Sequence, residues 1–335
     1  MTLYFNHVKI INYLLNYRFM DESDFKELNQ EFSTASNILI ISHQKPDGDA
    51  CGSILALLIY LRGQGKDVSA FIADSPPSYF SFLPGHEEIK NDPALLDKKW
   101  DTIVFVDTAN FKIAGVAEER FQRGPVINID HHRTNTKYGN INIIDETASS
   151  TCELIYRFFK YINFEIDRNI ATCLLSGLLT DTGGLVNAAT SFKAMAVSSD
   201  LLMRGAKINK IAESIFKNKS LDGLKLWGLA LSRLKFNKKF NLAYTYIKES
   251  DLMEYDIKAE EIDGLANFLN ALSNVSAVLV LKVSHNKIEG SWRTTKDNID
   301  VSRLANIFGG GGHKKAAGFT VNWEIEENNG QLRIT

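Results

Sequence analysis

Three apolar runs in this chain stop at an acid or a histidine, and that repeated ending constrains the fold more than any other feature. Asn37-Ile-Leu-Ile-Ile-Ser42 leads into His43-Gln-Lys-Pro-Asp47-Gly-Asp49. Thr102-Ile-Val-Phe-Val leads into Asp107, and Val126-Ile-Asn-Ile leads into Asp130-His131-His132. Short runs with little alternation are strands buried on both faces. Between the first run and a fourth strand over 68–72 lies helical apolar spacing (Ile54, Leu55, Leu58, Leu61), stopped by Gly63 and Gly65. The alternation predicts an α/β chain whose N-terminal lobe is a parallel sheet with helices on both faces. Ligands of such sheets bind outside the carboxyl ends of the strands, so the three endings converge on one edge.

Convergence has a chemical consequence. Clustered carboxylates repel and are costly to desolvate unless cations neutralise them, and bound metal is the simplest cure. Carboxylate and imidazole without thiolate favour Mn²⁺ or Mg²⁺ over structural zinc. Two metals roughly 3.5–4 Å apart form a clamp for phosphoryl hydrolysis. Taken singly the pieces are ambiguous. Asp-Gly-Asp is a turn as readily as a ligand pair, and Asp107 alone is a helix cap or a ligand. Asp181, after the apolar pattern of Leu174-Leu-Ser-Gly-Leu-Leu-Thr, either caps the next segment or completes a metal shell.

Charge and cysteine content narrow the partners. With 38 Lys+Arg against 40 Asp+Glu, the chain does not bind long nucleic acid by bulk charge, so an anionic substrate needs a local site. Cys51, Cys152 and Cys173 are three scattered cysteines without CxxC spacing, which suits a reduced, cytoplasmic protein and small core residues. The aromatic-rich segment over residues 1–19 lacks signal-peptide features and is too short and polar to span a membrane. It reads as a docked helix, with Met20 an alternative first residue and a polar helix over 21–33 behind it.

Beyond Ser149 the pattern is helical to about Phe216, and a further helix from Leu221 to Phe236 reads as a connector between lobes. Strands near 242–247, 275–283 and 288–294, with helices near 260–272 and 301–307, make a smaller C-terminal α/β lobe. Its glycines at 309–312 form a flexible loop or, leading into His313, Lys314 and Lys315, an anion nest of exposed N–H groups. Arg293 can fork onto a phosphate. Trp292 beside it stacks a base or fills the core.

Together these residues resemble the DHH phosphoesterase family, in the branch with a DHH-associated C-terminal domain that includes the nano-RNases. The resemblance rests on His43-x-x-Pro-Asp47-Gly-Asp49-Ala-x-Gly52-Ser53, Val106-Asp107-Thr, Asp130-His131-His132, Ala148-Ser-Ser-Thr-Cys-Glu153 and Thr180-Asp181-Thr-Gly-Gly184. It continues in Gly290-Ser-Trp-Arg293 and Gly310-Gly-Gly-His313-Lys-Lys-Ala-Ala-Gly318-Phe, so it covers about residues 35–322.

Residues 1–34 read as a helical extension outside the resemblance, which implies a catalytic domain over 35–215, a helical linker over 216–238 and a substrate-binding domain over 239–335. It implies two Mn²⁺ ions, with Mg²⁺ or Co²⁺ as alternatives. His43 and Asp47 would hold one ion, Asp49, His131 and Asp181 the other, and Asp107 would bridge them. Asp130 would orient a histidine ring, and His132 would serve the substrate phosphate or leaving group. Arg293, Gly310, Gly311, Gly312, His313 and Lys314 would bind substrate. The implied activity is hydrolysis of very short oligonucleotides to mononucleotides, or of 3′-phosphoadenosine 5′-phosphate to AMP, by direct attack of water. Cyclic or linear dinucleotides and pyrophosphate or polyphosphate are the alternative substrates. A catalytically dead nucleotide-binding regulator is the reading from another class, and it would be expected to lack some of the metal ligands. Long duplexes and membranes are not expected partners, and a homodimer is allowed.

Overall fold

The acid-tipped runs form strands that stop at Ile41, Val106 and Asp130, so the residues of interest stand at or just past the strand ends. This is seen in a computed structural model describing residues 22–334 apart from 122–123, 188, 217–218, 256, 258, 286, 323–324 and 329–330. The expectations for residues 1–19 and for Met20 lie outside the described residues. The chain divides into two compact units at 217/218.

The first unit holds six parallel strands: β1 (Asn37–Ile41), β2 (Asp67–Phe71), β3 (Ile89–Lys90), β4 (Thr102–Val106), β5 (Val126–Asp130) and β6 (Ile141–Ile144). Their order is β3-β2-β1-β4-β5-β6. The sequence reading lacked β3, which has two residues, and β6, whose Asn-Ile-Asn-Ile-Ile run looks polar because only alternate residues are buried. Along β1, Ile38 and Ile40 face one core while Leu39 and Ile41 face the other, as the two-residue period requires. Each such side chain contributes about 1.5–3 kcal/mol by leaving water.

One face of the sheet carries the long helices α2 (Gly48–Gly63), α4 (Thr151–Tyr161) and α5 (Arg168–Asp181). The other face is covered by short helical turns, including the four-residue α3 (Phe111–Ala114), and by rings. Phe111, Phe121 and Tyr138 surround Phe105 at centroid distances of 5.3, 5.2 and 5.5 Å. The polar helix α1 (Glu22–Thr34) is amphipathic, for Phe25, Leu28 and Phe32 are buried at helical spacing. Helices α6 (Phe192–Met203) and α7 (Ile208–Phe216) complete the unit.

The second unit opens with α8 (Leu221–Ser232), four residues shorter than the helix read to Phe236. Leu226 and Ala230 of α8 are fully buried in this unit's own core. The chain then forms β7 (Lys235–Asn237), antiparallel to β8 (Leu242–Lys248). So the segment expected as a connector over 216–238 ends in a sheet strand. With β9 (Ala277–Ser284), β10 (Lys287–Arg293), β11 (Gly311–His313) and β12 (Ala316–Val321), the sheet runs β11-β12-β10-β9-β8-β7. Only β8 and β9 pair in parallel. Helices α9 (Glu249–Tyr255), α10 (Leu265–Leu269) and α11 (Val301–Ile307) and a hairpin of β13 (Ile325–Asn328) with β14 (Gln331–Ile334) complete it. No helix among the described residues is long and apolar enough to cross a membrane.

Candidate metal centre

In the first sheet the chain steps outward in opposite directions from β1 and β4, so their carboxyl ends flank a crevice. His43 follows β1 and Asp107 follows β4. Asp107 has φ 52 and is 2% exposed. A non-glycine residue in the left-handed region costs on the order of 1–3 kcal/mol and persists only where its surroundings over-determine it. Here Asp107 N–H donates to Ile129 O at 3.0 Å and the Thr151 hydroxyl donates to Asp107 Oδ1 at 3.2 Å.

The two oxygens of Asp107 face two different groups. Oδ2 lies 3.3 Å from His43 Nε2, which lies 3.9 Å from Asp47 Oδ1. Oδ1 lies 3.6 Å from His131 Nε2, itself 3.1 Å from Asp181 Oδ2 and 3.7 Å from Asp49 Oδ2. His43, Asp47 and Asp107 form one potential ligand set, and Asp49, His131 and Asp181 another, each with ligand atoms within 4.8 Å of one another.

Local structure explains each placement. Asp47 is the N-cap of α2 and accepts from the N–H groups of Asp49 and Ala50 at 2.9 and 3.0 Å. Asp49 is wholly buried, its oxygens accepting from the Thr151 and Cys152 N–H groups at 2.6 and 2.9 Å. Those groups open α4, where unpaired amides and the helix dipole favour an anion. Asp181 ends α5. One turn earlier, a Cβ on Gly177 would lie 2.4 Å from Cys152 Sγ and 2.6 Å from Asp49 Oδ1. Only glycine lets α5 approach closely enough to bring Asp181 to His131.

The electrostatics ask for cations. Burial, then repulsion from Asp181 and Asp107, raises the pKa of Asp47 to about 6. Burial and Asp107 with Asp181 likewise push Asp49 well above the carboxylate range. Burial opposes charge on His43, yet the hydrogen bond and charge of Asp107 outweigh it and raise His43 to about 10. His131 is raised against burial by Asp181, Asp49 and Asp107. Burial notwithstanding, the histidines hold Asp107 below the usual range.

The donor set fits divalent metal. His43 Nδ1 donates to Gln44 O at 2.6 Å and His131 Nδ1 to Ala148 O at 3.3 Å, so each ring turns Nε2 toward carboxylate oxygens. Two neutral rings would then set nitrogen lone pairs against oxygen lone pairs, which only a proton or a cation relieves. Ligands bonded at ~2.1 Å and at right angles stand ~3 Å apart, close to the shorter spacings here.

Asp130 and His132 form a further set that reaches Asp107, His132 Nδ1 lying 3.5 Å from Asp107 Oδ1. Asp130 Oδ1 accepts from His132 Nδ1 at 2.7 Å and from His131 N–H at 2.8 Å. The ring that Asp130 holds is therefore that of His132, whose side chain is 23% exposed. Burial resists charge on His132, but Asp130 raises its pKa nonetheless.

In the second unit, register sets Arg293 and His313 on either side of Ala316, so their side chains share a face of the sheet. Arg293 Nε donates to Asn267 Oδ1 at 2.6 Å. Lys314 is exposed. Trp292 is 8% exposed and packs in the core. The glycine run differs from a free loop: 311–313 is strand β11. Gly309 and Gly310 N–H groups donate to Asn306 and Ala305 carbonyls at 3.0 and 2.9 Å. Gly310 thus leaves the set of anion-nest donors, and its bare Cα serves packing, since a Cβ there would lie 2.1 Å from Gly318 O.

Sequence reasoning missed the amides of Thr151 and Cys152 as the partners of Asp49. The Ser149-Ser-Thr run was their signal, because Ser150 N-caps α4. It also missed Asn135 and Asn128, which stand behind Asp130. The signal there was Asn128, a polar residue inside the apolar β5. All three cysteines are free and buried.

Two family models match the chain. The DHH family N-terminal domain covers residues 37–178 and the DHHA1 domain residues 239–331, nine residues beyond the resemblance read from the sequence. The bifunctional oligoribonuclease and PAP phosphatase NrnA of Thermus thermophilus is 32% identical over 286 residues, covering 85% of this chain and 84% of that protein. The protein of the same name from Bacillus subtilis is 25% identical, over 89% of this chain and 94% of its own length. Among solved structures, an exopolyphosphatase-related protein from Bacteroides fragilis superposes with a TM-score of 0.82 at 27% identity, covering 90% of this chain and 92% of that one. The strand-end acids and histidines stand in a doubly wound sheet, and the family matches with the 32% identity over 85% of the chain show that the chain belongs to the DHH family.

Proposed function

We propose that this DHH-family hydrolase is a manganese-dependent phosphoesterase that cleaves very short oligonucleotides to mononucleotides and 3′-phosphoadenosine 5′-phosphate to AMP. One observation carries the reading: Asp107 turns one oxygen to His43 at 3.3 Å and the other to His131 at 3.6 Å, as a residue shared by two metal sites must. His43 and Asp47 would hold one ion, Asp49, His131 and Asp181 the other, and Asp107 would serve both. When bound, such a pair supplies charge that neutralises phosphoryl oxygens and acidifies water. The chain's own residues do the rest. Thr151 and Cys152 fix Asp49, and Asp130 fixes His132, whose ring donates to a phosphoryl oxygen or the leaving group. The hard oxygen and imidazole donor set supports Mn²⁺, with Mg²⁺ or Co²⁺ as substitutes.

The second unit, taken as residues 239–335, supplies substrate binding. Arg293, His313 and Lys314 contact a phosphate with the N–H groups of Gly311 and Gly312, while Gly310 keeps β12 close. Reduced, buried cysteines support a cytoplasmic protein. The similarity to the exopolyphosphatase-related structure favours polyphosphate as the second substrate reading. Turnover of a diribonucleotide, 3′-phosphoadenosine 5′-phosphate, linear diadenylate, pyrophosphate and polyphosphate, each with Mn²⁺, tests the proposal. Release of mononucleotide or AMP supports it, and phosphate release from the inorganic substrates alone overturns it.

A further inference from the structure

Asp130 holds His132 with one oxygen, and its other oxygen is held in turn. Asn135 Nδ2 donates to Asp130 Oδ2 at 2.6 Å and to Asn128 Oδ1 at 2.8 Å. Asn128, 0% exposed in β5, donates to Thr108 O at 3.1 Å and to the Tyr138 hydroxyl at 3.2 Å. That hydroxyl donates to Thr108 O at 3.0 Å. Asn135 Oδ1 accepts from Lys137 N–H at 2.7 Å. The side-chain orientation is thereby fixed, since Nδ2 faces only acceptors and Oδ1 faces a donor. Thr108 is the residue after Asp107, so this partly buried network ties the carbonyl beside the left-handed turn to the carboxylate that grips His132. Such an array is expensive to bury unless fully bonded, and fully bonded it is rigid.

We propose that Asn135 is a positioning residue: it orients the Asp130 carboxylate so that His132 presents its ring to the substrate in one direction, and Asn128 and Tyr138 hold Asn135 in place. The proposal rests on the phosphoesterase reading for its kinetic consequence and on geometry alone for its structural one.

Two substitutions separate positioning from simple support of the loop. Asn135→Ala removes every bond of the side chain. Asn135→Asp keeps the oxygen that accepts from Lys137 but loses the donor to Asp130. With Mn²⁺ and dinucleotide, kcat is expected to fall about tenfold or more in Asn135→Ala with KM within twofold, the usual scale for an outer-shell partner. Asn135→Asp should fall at least as far. Recovery of Asn135→Asp to near the parent rate would overturn the proposal, because loop support alone would then suffice. In a His132→Ala background Asn135→Ala should cost nothing further, whereas an additive loss would show that Asn135 does not act through His132. A third measurement needs no turnover. The downfield proton resonance of His132 Nδ1–H, assigned by its absence in His132→Ala, should vanish or broaden in both Asn135 variants while circular dichroism reports an intact fold. Its persistence unchanged refutes the positioning role, even if the parent protein hydrolyses none of the substrates tested and the functional reading itself falls.

Discussion

The two sheets each carry charged residues at one end, and they handle charge in opposite ways. At the edge of the first sheet, Asp49 and Asp107 are almost wholly enclosed and crowd against other acids. Helix amides and ring nitrogens hold them in place. At the end of the second sheet, Arg293, His313 and Lys314 are cationic or neutral, partly or wholly exposed, and set beside glycine backbone. The first region is an anionic cage, the second a more accessible, cationic surface. Chemistry that needs fixed metals belongs in a cage, and recognition of variable phosphates belongs on the open surface.

The comparison breaks most sharply at Asp107. Asp107→Ala takes away the group shared by both ligand sets, so kcat/KM should fall by roughly 10³-fold or more, beyond the loss of a single preorganised donor. Without metal the variant should be less stable than the parent, because the buried histidines that hold Asp107 ionised lose their counter-charge. The Mn²⁺-dependent rise in Tm should shrink or disappear. Steady-state rates and melting curves with and without Mn²⁺ read both effects. A variant that keeps its rate would remove the cage from the chemistry.

Protons compete with cations for the cage and not for the open surface. His43, raised to about 10, is protonated at neutral pH in the metal-free protein, and Asp47, raised to about 6, begins to take up protons just below it. Ligation requires both to be deprotonated, so Mn²⁺ binding releases protons and tightens as pH rises. From pH 7.5 to 6.5 the affinity should drop by about tenfold for each proton released, or about 1.4 kcal/mol. Calorimetry in buffers of different ionisation enthalpy counts the protons. Affinity independent of pH across this range would mean the histidine and carboxylate sets do not bind the metal.

The convergence of the strand-end acids and histidines was legible in the sequence, and the backbone conformation of the glycine run was not. Strand ends are readable because a fully apolar run that stops at an acid leaves the acid one place to go, the sheet edge. That logic placed His43, Asp107, Asp130 and His131 together. It did not decide between cap and ligand for Asp181, because the answer lies in how closely α5 crosses α2, and the glycine that permits it, Gly177, reads locally as an unremarkable helix interruption. Nor did it find β6, in whose Asn-Ile-Asn-Ile-Ile run the asparagines at alternate positions dilute the apolar signal. The glycine run stayed open between loop and nest for a related reason. Glycines mark either freedom or close contact, and here strand pairing to β12, a long-range fact, selects contact.

The open surface should respond more gently than the cage. Arg293→Ala deletes a guanidinium proposed to bond a phosphate, an interaction worth about 1.5–3 kcal/mol. KM should rise roughly tenfold or more with kcat within about threefold, because the loss falls on ground state and transition state alike. The effect should be largest for substrates with a second phosphate. If kcat collapses instead while KM stays fixed, Arg293 acts at the reacting phosphorus and the division of labour between the two regions is wrong.

The smallest effect tests how the cage is braced. Ser150 caps α4, its hydroxyl accepting from Glu153 N–H at 3.1 Å. Glu153 in turn accepts from the Ser149 hydroxyl at 2.5 Å and pairs with Arg157, which also meets Asp145 at 2.7 Å. This cluster fixes the first turn of α4, and that turn's amides hold Asp49. Ser150→Ala should therefore cost about 1 kcal/mol of stability, the usual loss for a missing cap. Because Thr151 and Cys152 keep their own N–H groups, Asp49 stays bonded, and kcat should change less than threefold. Thermal melts and steady-state kinetics on the same preparation decide the matter. A large loss of rate at a small loss of stability would mean that the α4 turn tunes the position of Asp49 directly, and that the cage is braced less firmly than its burial suggests.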